Sequence, residues 1–98
     1  MTLTVIATIK ANLGMEAQML LDLCSLLEPT QAESGCINFD LLQDPKDSCT
    51  FVLYENWESQ SDLDAHFQMP YVKRVLEAYK LTLAEPIQVM LLQKFENL

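Results

Sequence analysis

Residues 87–95 are apolar at both alternating sets of positions. Ile87, Val89, Leu91 and Phe95 fall on one side, Met90 and Leu92 on the other. Successive side chains of a strand point to opposite faces, so a strand of this kind asks for cover on both. That demand limits the fold more than any other feature, because the helices predicted upstream can cover only one face of a sheet. The second face needs something outside the single chain, and a second copy of the same protein fits best.

The other elements follow from periodicity and punctuation. Residues 3–9 alternate as a strand, with Leu3, Val5, Ala7 and Ile9 on one face and Thr2, Thr4, Ile6 and Thr8 on the other. Asn12, Leu13 and Gly14 break it. A helix is expected from about Met15, with Leu20, Leu23, Cys24 and Leu27 as its apolar stripe, widened by Met19 and Leu26. Pro29 should end or kink this helix near Glu28, since proline lacks a donor and clashes with the preceding turn. A last turn from Pro29 to Ala32 is compatible with proline at a first helical position.

Ser34 and Gly35 open a second strand over residues 36–43, residues 44–48 read as a turn cluster, and residues 50–57 read as a third strand. The two strands pair as a hairpin of open register. Matching their apolar sides sets Ile37, Phe39 and Leu41 beside Phe51 and Leu53, with Glu55 and Trp57 continuing that side. Ser59 or Ser61 starts a short helix in which Leu63, His66 and Phe67 share a face. Pro70 opens another helix carrying Val72, Val75, Leu76, Tyr79 and Leu83, and Pro86 ends it. The order β-α-β-β-α-α-β gives a ferredoxin-like α+β fold: a four-stranded antiparallel sheet with helices on one face. We expect a single domain over residues 1–98 and a homodimer with sheets packed face to face.

Composition removes several classes of function. The net charge is −8 and the six basic residues are scattered, which excludes nucleic acid as a partner and disfavours anionic membranes. No segment has the apolar length of a membrane span and the start of the chain carries no signal pattern, so a cytoplasmic location is expected. Cys24, Cys36 and Cys49 are odd in number and share no metal-ligand spacing; with one histidine, no metal site is expected.

The chemistry concentrates in residues 55–70. Trp57, the sole tryptophan, closes the third strand, and His66, the sole histidine, lies on the next helix. An aromatic plate and a group that titrates near neutral pH can thus face one cavity, an arrangement suited to holding a flat organic molecule and moving its proton. Glu55 shares the strand face of Trp57, where an inward carboxyl is costly unless hydrogen-bonded. It can orient His66 or meet a substrate hydroxyl. Plainer structural readings stand beside these. His66 can be a buried histidine satisfied by a backbone carbonyl or by Glu55, Trp57 can fill core, and Glu55 can pair with Lys73, Arg74 or a backbone amide.

Taken in order, Val5-Ile6-Ala7-Thr8-Ile9 and Gly14, then Glu33-Ser34-Gly35-Cys36 leading to Asn38-Phe39-Asp40-Leu41-Leu42-Gln43-Asp44-Pro45, resemble the antibiotic biosynthesis monooxygenase family. So do Phe51-Val52-Leu53-Tyr54-Glu55-Asn56-Trp57-Glu58-Ser59, Leu63, Ala65-His66 and Pro70. The resemblance implies a dimeric α+β barrel and a cofactor-free oxygenase acting with O2 on a quinol- or polyphenol-type aromatic. His66, Trp57 and Glu55 are then the candidate catalytic residues, and Phe39, Phe51, Leu53, Phe67 and Tyr71 the candidate substrate-binding ones. Haem-degrading proteins of similar shape place an asparagine on the first strand, where this chain has the apolar Ala7. Family members commonly follow the proline with a second histidine. Tyr71 stands there instead and can serve as donor in its place. A non-catalytic dimeric module that binds a small ligand, and an isomerase of a small carbonyl compound, remain as alternatives.

Overall fold

A computed structural model describes residues 2–95. Its elements run β1 (Leu3–Lys10), α1 (Glu16–Gln31), β2 (Cys36–Asp44), β3 (Asp47–Trp57), α2 (Gln60–Phe67), α3 (Pro70–Thr82) and β4 (Gln88–Gln93). The four strands form one antiparallel sheet in the order β2-β3-β1-β4. This is the expected ferredoxin-like α+β arrangement. The helices cover the face that carries Val5, Ala7 and Ile9 of β1 and Cys49, Phe51, Leu53, Glu55 and Trp57 of β3, all buried. Full alternation along β3 places this set on one side, and the pairing of Leu3 with Trp57 and Ile9 with Phe51 aligns it with β1.

Several local readings need correction. Of the two readings at Pro29, the further turn holds: Pro29 does not end α1, which continues to Gln31 with Ala32 as its cap. The carbonyl deprived of a donor belongs to Ser25, an exposed residue, where water can replace the lost bond. The buried seam of α1 is Met19, Leu23, Leu26 and Thr30, while Leu20 and Cys24 face solvent. A register shift between Cys36 and Asn38 leaves Ile37 as the extra residue of a bulge, 53% exposed, so it does not share a side with Phe39 and Leu41. The expected turn cluster shrinks to Pro45 and Lys46. Asp44 and Asp47 hold that turn with their side chains, accepting from the Lys46 and Cys49 amides at 2.8 and 3.1 Å.

Pro70 does open α3, but the helix ends at Thr82, so Leu83 is its extended cap, bridged to Ala11, and Pro86 lies beyond its end. Ser59 rather than Ser61 caps α2. The Ser59 hydroxyl accepts from the Asp62 amide at 3.2 Å and donates to the Asp62 carboxylate at 2.7 Å. The last strand is shorter than expected, ending at Gln93 rather than Phe95. All six of its residues are exposed. The helix-free face presents Ile6, Leu42, Val52, Tyr54, Met90 and Leu92 from four adjacent strands.

Candidate functional site

Between the sheet and the helices lies an apolar cavity of about 80 Å³. Its floor comes from Val5, Ala7 and Ile9 of β1, Phe39 of β2 and Leu53 and Glu55 of β3. Its roof comes from His66 and Phe67 of α2 and from α3. Phe67 (45% exposed), Leu76 and Val89 form an apolar rim open to solvent. Glu55 brings a carboxyl and His66 an imidazole to this otherwise mostly apolar lining.

Glu55 enters from the sheet. Period-two alternation turns it inward with Trp57, whose indole N–H donates to Glu55 Oε1 at 2.8 Å. The residue is 5% exposed. Burial pushes its carboxyl up to about 7; the indole hydrogen bond opposes the shift and the nearby Glu33 charge adds to it. A group with that value exchanges its proton readily at neutral pH.

His66 enters from α2 and is 4% exposed. Three aromatic rings box the imidazole: Trp57 at 4.9 Å, Phe67 at 5.4 Å and Phe39 at 5.6 Å between centroids. Its Nδ1 lies 2.8 Å from Glu33 Oε2, and both side chains are over nine-tenths buried. The Tyr71 hydroxyl, on α3, donates to the same carboxylate oxygen at 2.5 Å, with the Pro29 carbonyl a second acceptor at 3.3 Å. Burial and that carboxylate push the phenol's pKa well above its ordinary value, so it stays protonated. Nε2 has no protein partner among the described residues. Nε2 is not among their fully buried, unpartnered polar atoms, and His66 is one of the residues that line the cavity.

Glu33 had no assigned role in the sequence. It sits in the turn between α1 and β2, fixed by its amide to the Thr30 carbonyl at 3.0 Å and by its carbonyl to the Cys36 amide at 3.0 Å. Gly35, next in this turn, lets α2 approach: a Cβ there would fall 2.0 Å from Asp62 Cγ. The Gly35 carbonyl also accepts from the Glu58 amide at 2.9 Å, just before α2. The capped start of α2 thus seats directly on the turn that carries Glu33. The signal that was available was an acid next to a Ser-Gly pair between a helix and a strand, which says nothing about a histidine 33 residues on.

The candidate residues therefore separate by position. Glu55, His66, Phe39, Leu53 and Phe67 line the cavity. Trp57 is fully buried behind the lining, where it packs on His66 and holds Glu55 rather than offering a free face. Phe51 is fully buried in the core and lies outside the lining, and Tyr71 points its hydroxyl to Glu33 rather than into the cavity. Glu55 does not orient His66, since its carboxyl is bonded to the Trp57 indole. Nearby Cys36 is a poor nucleophile: burial and the charges of Glu33, Glu55 and Asp40 push its thiol up to about 11. Among the described residues, no three His, Cys, Asp or Glu side chains are grouped to hold a metal ion. No helix among them is long and apolar enough to cross a membrane.

Fold and site together define a small ferredoxin-like α+β domain whose apolar cavity carries an imidazole and a carboxyl. Residues 2–78 match the family model described as antibiotic biosynthesis monooxygenase, and the chain belongs to that family. Its relatives include the Escherichia coli protein YgiN, a probable quinol monooxygenase, 35% identical over 80% of this chain and 85% of YgiN. The uncharacterized protein sll1783 of Synechocystis is 32% identical over 66% of this chain, which spans 44% of that protein's length. Among solved structures, PA3566 of Pseudomonas aeruginosa superposes with a TM-score of 0.93 at 30% identity, covering 97% of this chain and 95% of that one.

Proposed function

We propose that the protein is a cofactor-independent monooxygenase of a quinol- or polyphenol-type aromatic, in which His66 takes and returns the proton. The observation that carries this reading is one apolar cavity reached by an unpartnered imidazole nitrogen and by a carboxyl that titrates near 7. The kinship to a probable quinol monooxygenase supports it.

The chemistry balances without an added reductant. A hydroquinone with one free ring position and O2 give a hydroxyquinone and water. His66 Nε2 removes a hydroxyl proton, and the electron-rich anion passes one electron to O2. The semiquinone and superoxide join at the free carbon as a peroxide. Transfer of that carbon's proton to the distal oxygen as the O–O bond breaks leaves a carbonyl and hydroxide, and His66 returns its proton to that hydroxide to form water. Apolar walls shield the radical pair from water. Glu55 meets the second hydroxyl in this scheme, and its carboxyl disfavours an anionic substrate. An enclosed apolar cavity of about 150 Å³ holds benzene. At about 80 Å³ this one is smaller, and rim side chains such as Phe67 move aside in this scheme to seat a ring fully.

We further propose that the working form is a homodimer, with the helix-free face and β4 covered by a second copy. The apolar residues of that face, and a terminal strand exposed along its whole length, support this assembly. Light scattering at micromolar concentration should give twice the chain mass; a monomer would refute it.

Oxygen uptake with a panel of hydroquinones and polyphenols tests the activity. Uptake above the spontaneous rate is expected, falling at least about a hundredfold in His66→Ala. Equal uptake by both proteins would remove His66 from the mechanism. No uptake with any substrate would favour the ligand-binding reading.

A further inference from the structure

We propose that Glu33 is the positioning residue of the site, holding the proton of neutral His66 on Nδ1 so that the lone pair of Nε2 always faces the cavity. The proposal rests on the reading of His66 as the base. It adds a residue from a separate segment of the chain, which touches neither the cavity nor a substrate in it.

The argument is one of donors and acceptors. Glu33 Oε2 lies within hydrogen-bond reach of both Nδ1 and the Tyr71 hydroxyl. A phenol that keeps its proton donates to the carboxylate, which is then an acceptor for its second neighbour too. Nδ1 must carry the hydrogen, and in a neutral imidazole the lone pair is left on Nε2. Rotation of the ring would undo this, but Trp57, Phe39 and Phe67 wall it on three sides. The other ionisable groups around the ring act otherwise: Glu55 on β3 is bonded to Trp57, Cys36 on β2 stays a thiol, and Asp62 on α2 itself is engaged by Ser59.

A merely structural pair would fasten α2 to the α1–β2 turn without affecting turnover chemistry. The difference shows in two measurements. Nitrogen-15 NMR of the resting wild-type protein at a pH where His66 is neutral should report a protonated Nδ1 and an unprotonated Nε2. A protonated Nε2, or fast exchange between both forms, would overturn the proposal. This result does not depend on which reaction is catalysed, so it stands even if no quinol is oxidised. On an accepted quinol, Glu33→Gln should lower kcat about a hundredfold or more with KM changed less than threefold, and its imidazole should sample both tautomers, because an amide can donate as well as accept. Unchanged kcat in a folded Glu33→Gln protein would assign the pair to structure alone. Tyr71→Phe keeps the carboxylate and should retain the Nδ1–H form with a loss of about tenfold or less in kcat; a shift of tautomer in this variant would also count against Glu33.

Discussion

The two walls of the cavity handle a buried carboxyl in opposite ways. On the sheet wall, Glu55 takes one hydrogen bond from Trp57, two residues along the same strand, and its carboxyl is raised to about 7. On the helix wall, Glu33 takes two, from side chains on two different helices, and does not line the cavity. Burial raises Glu55, which has the indole as donor, whereas Glu33 sits within hydrogen-bond reach of two side chains that hold it in place. The site thus combines one adjustable group and one fixed orienting group, each made by what surrounds it rather than by its own chemistry.

The sharpest way to break this contrast is Trp57→Phe. It removes the indole N–H that donates to Glu55 and leaves a void beside His66, so a loss of about 3–4 kcal/mol in chemical denaturation is expected. A loss below about 1 kcal/mol would mean that the indole bond does little. Next comes the pH dependence of stability. The Glu55 carboxyl is raised in the folded chain, so its contribution is fully present below its unfolded value near 4.5 and is lost as pH rises through about 7. Between pH 5 and 8 the wild type should lose roughly 2–3 kcal/mol more than Glu55→Gln, whose amide cannot ionise. Parallel curves for the two proteins would show that Glu55 titrates as an ordinary carboxyl.

The same contrast explains what the sequence disclosed. Alternation along residues 51–57 was enough to place Glu55 and Trp57 on one face, and the i, i+3, i+4 spacing of Leu63, His66 and Phe67 turned the histidine inward. Pro70 marked the start of α3 because proline suits that position. Those signals are local, with periods of two or 3.6 residues. Glu33 and Tyr71 meet His66 only through packing of the α1–β2 turn, α2 and α3, and no period connects them. Ile37 departs from simple alternation for a related reason: one extra residue in β2 reverses it, and nothing nearby in the chain marks the bulge. The course of α1 through Pro29 depended on solvent reaching one carbonyl, which is again a property of the folded surface.

The pairing of β1 with β4 bears on how the chain is made. Leu3 lies opposite Gln93 and Thr8 opposite Gln88, so β1 is synthesised about 80 residues before the strand that covers its second edge. During synthesis β1 can join β3, but its other edge stays unpaired until β4 arrives, and contacts so distant in sequence form slowly. An open edge rich in Val and Ile is a template for the wrong neighbour. Newly made chains therefore pass through an interval of sticking risk that ends only when β4 docks, and conditions that slow synthesis between β3 and β4 should lengthen it.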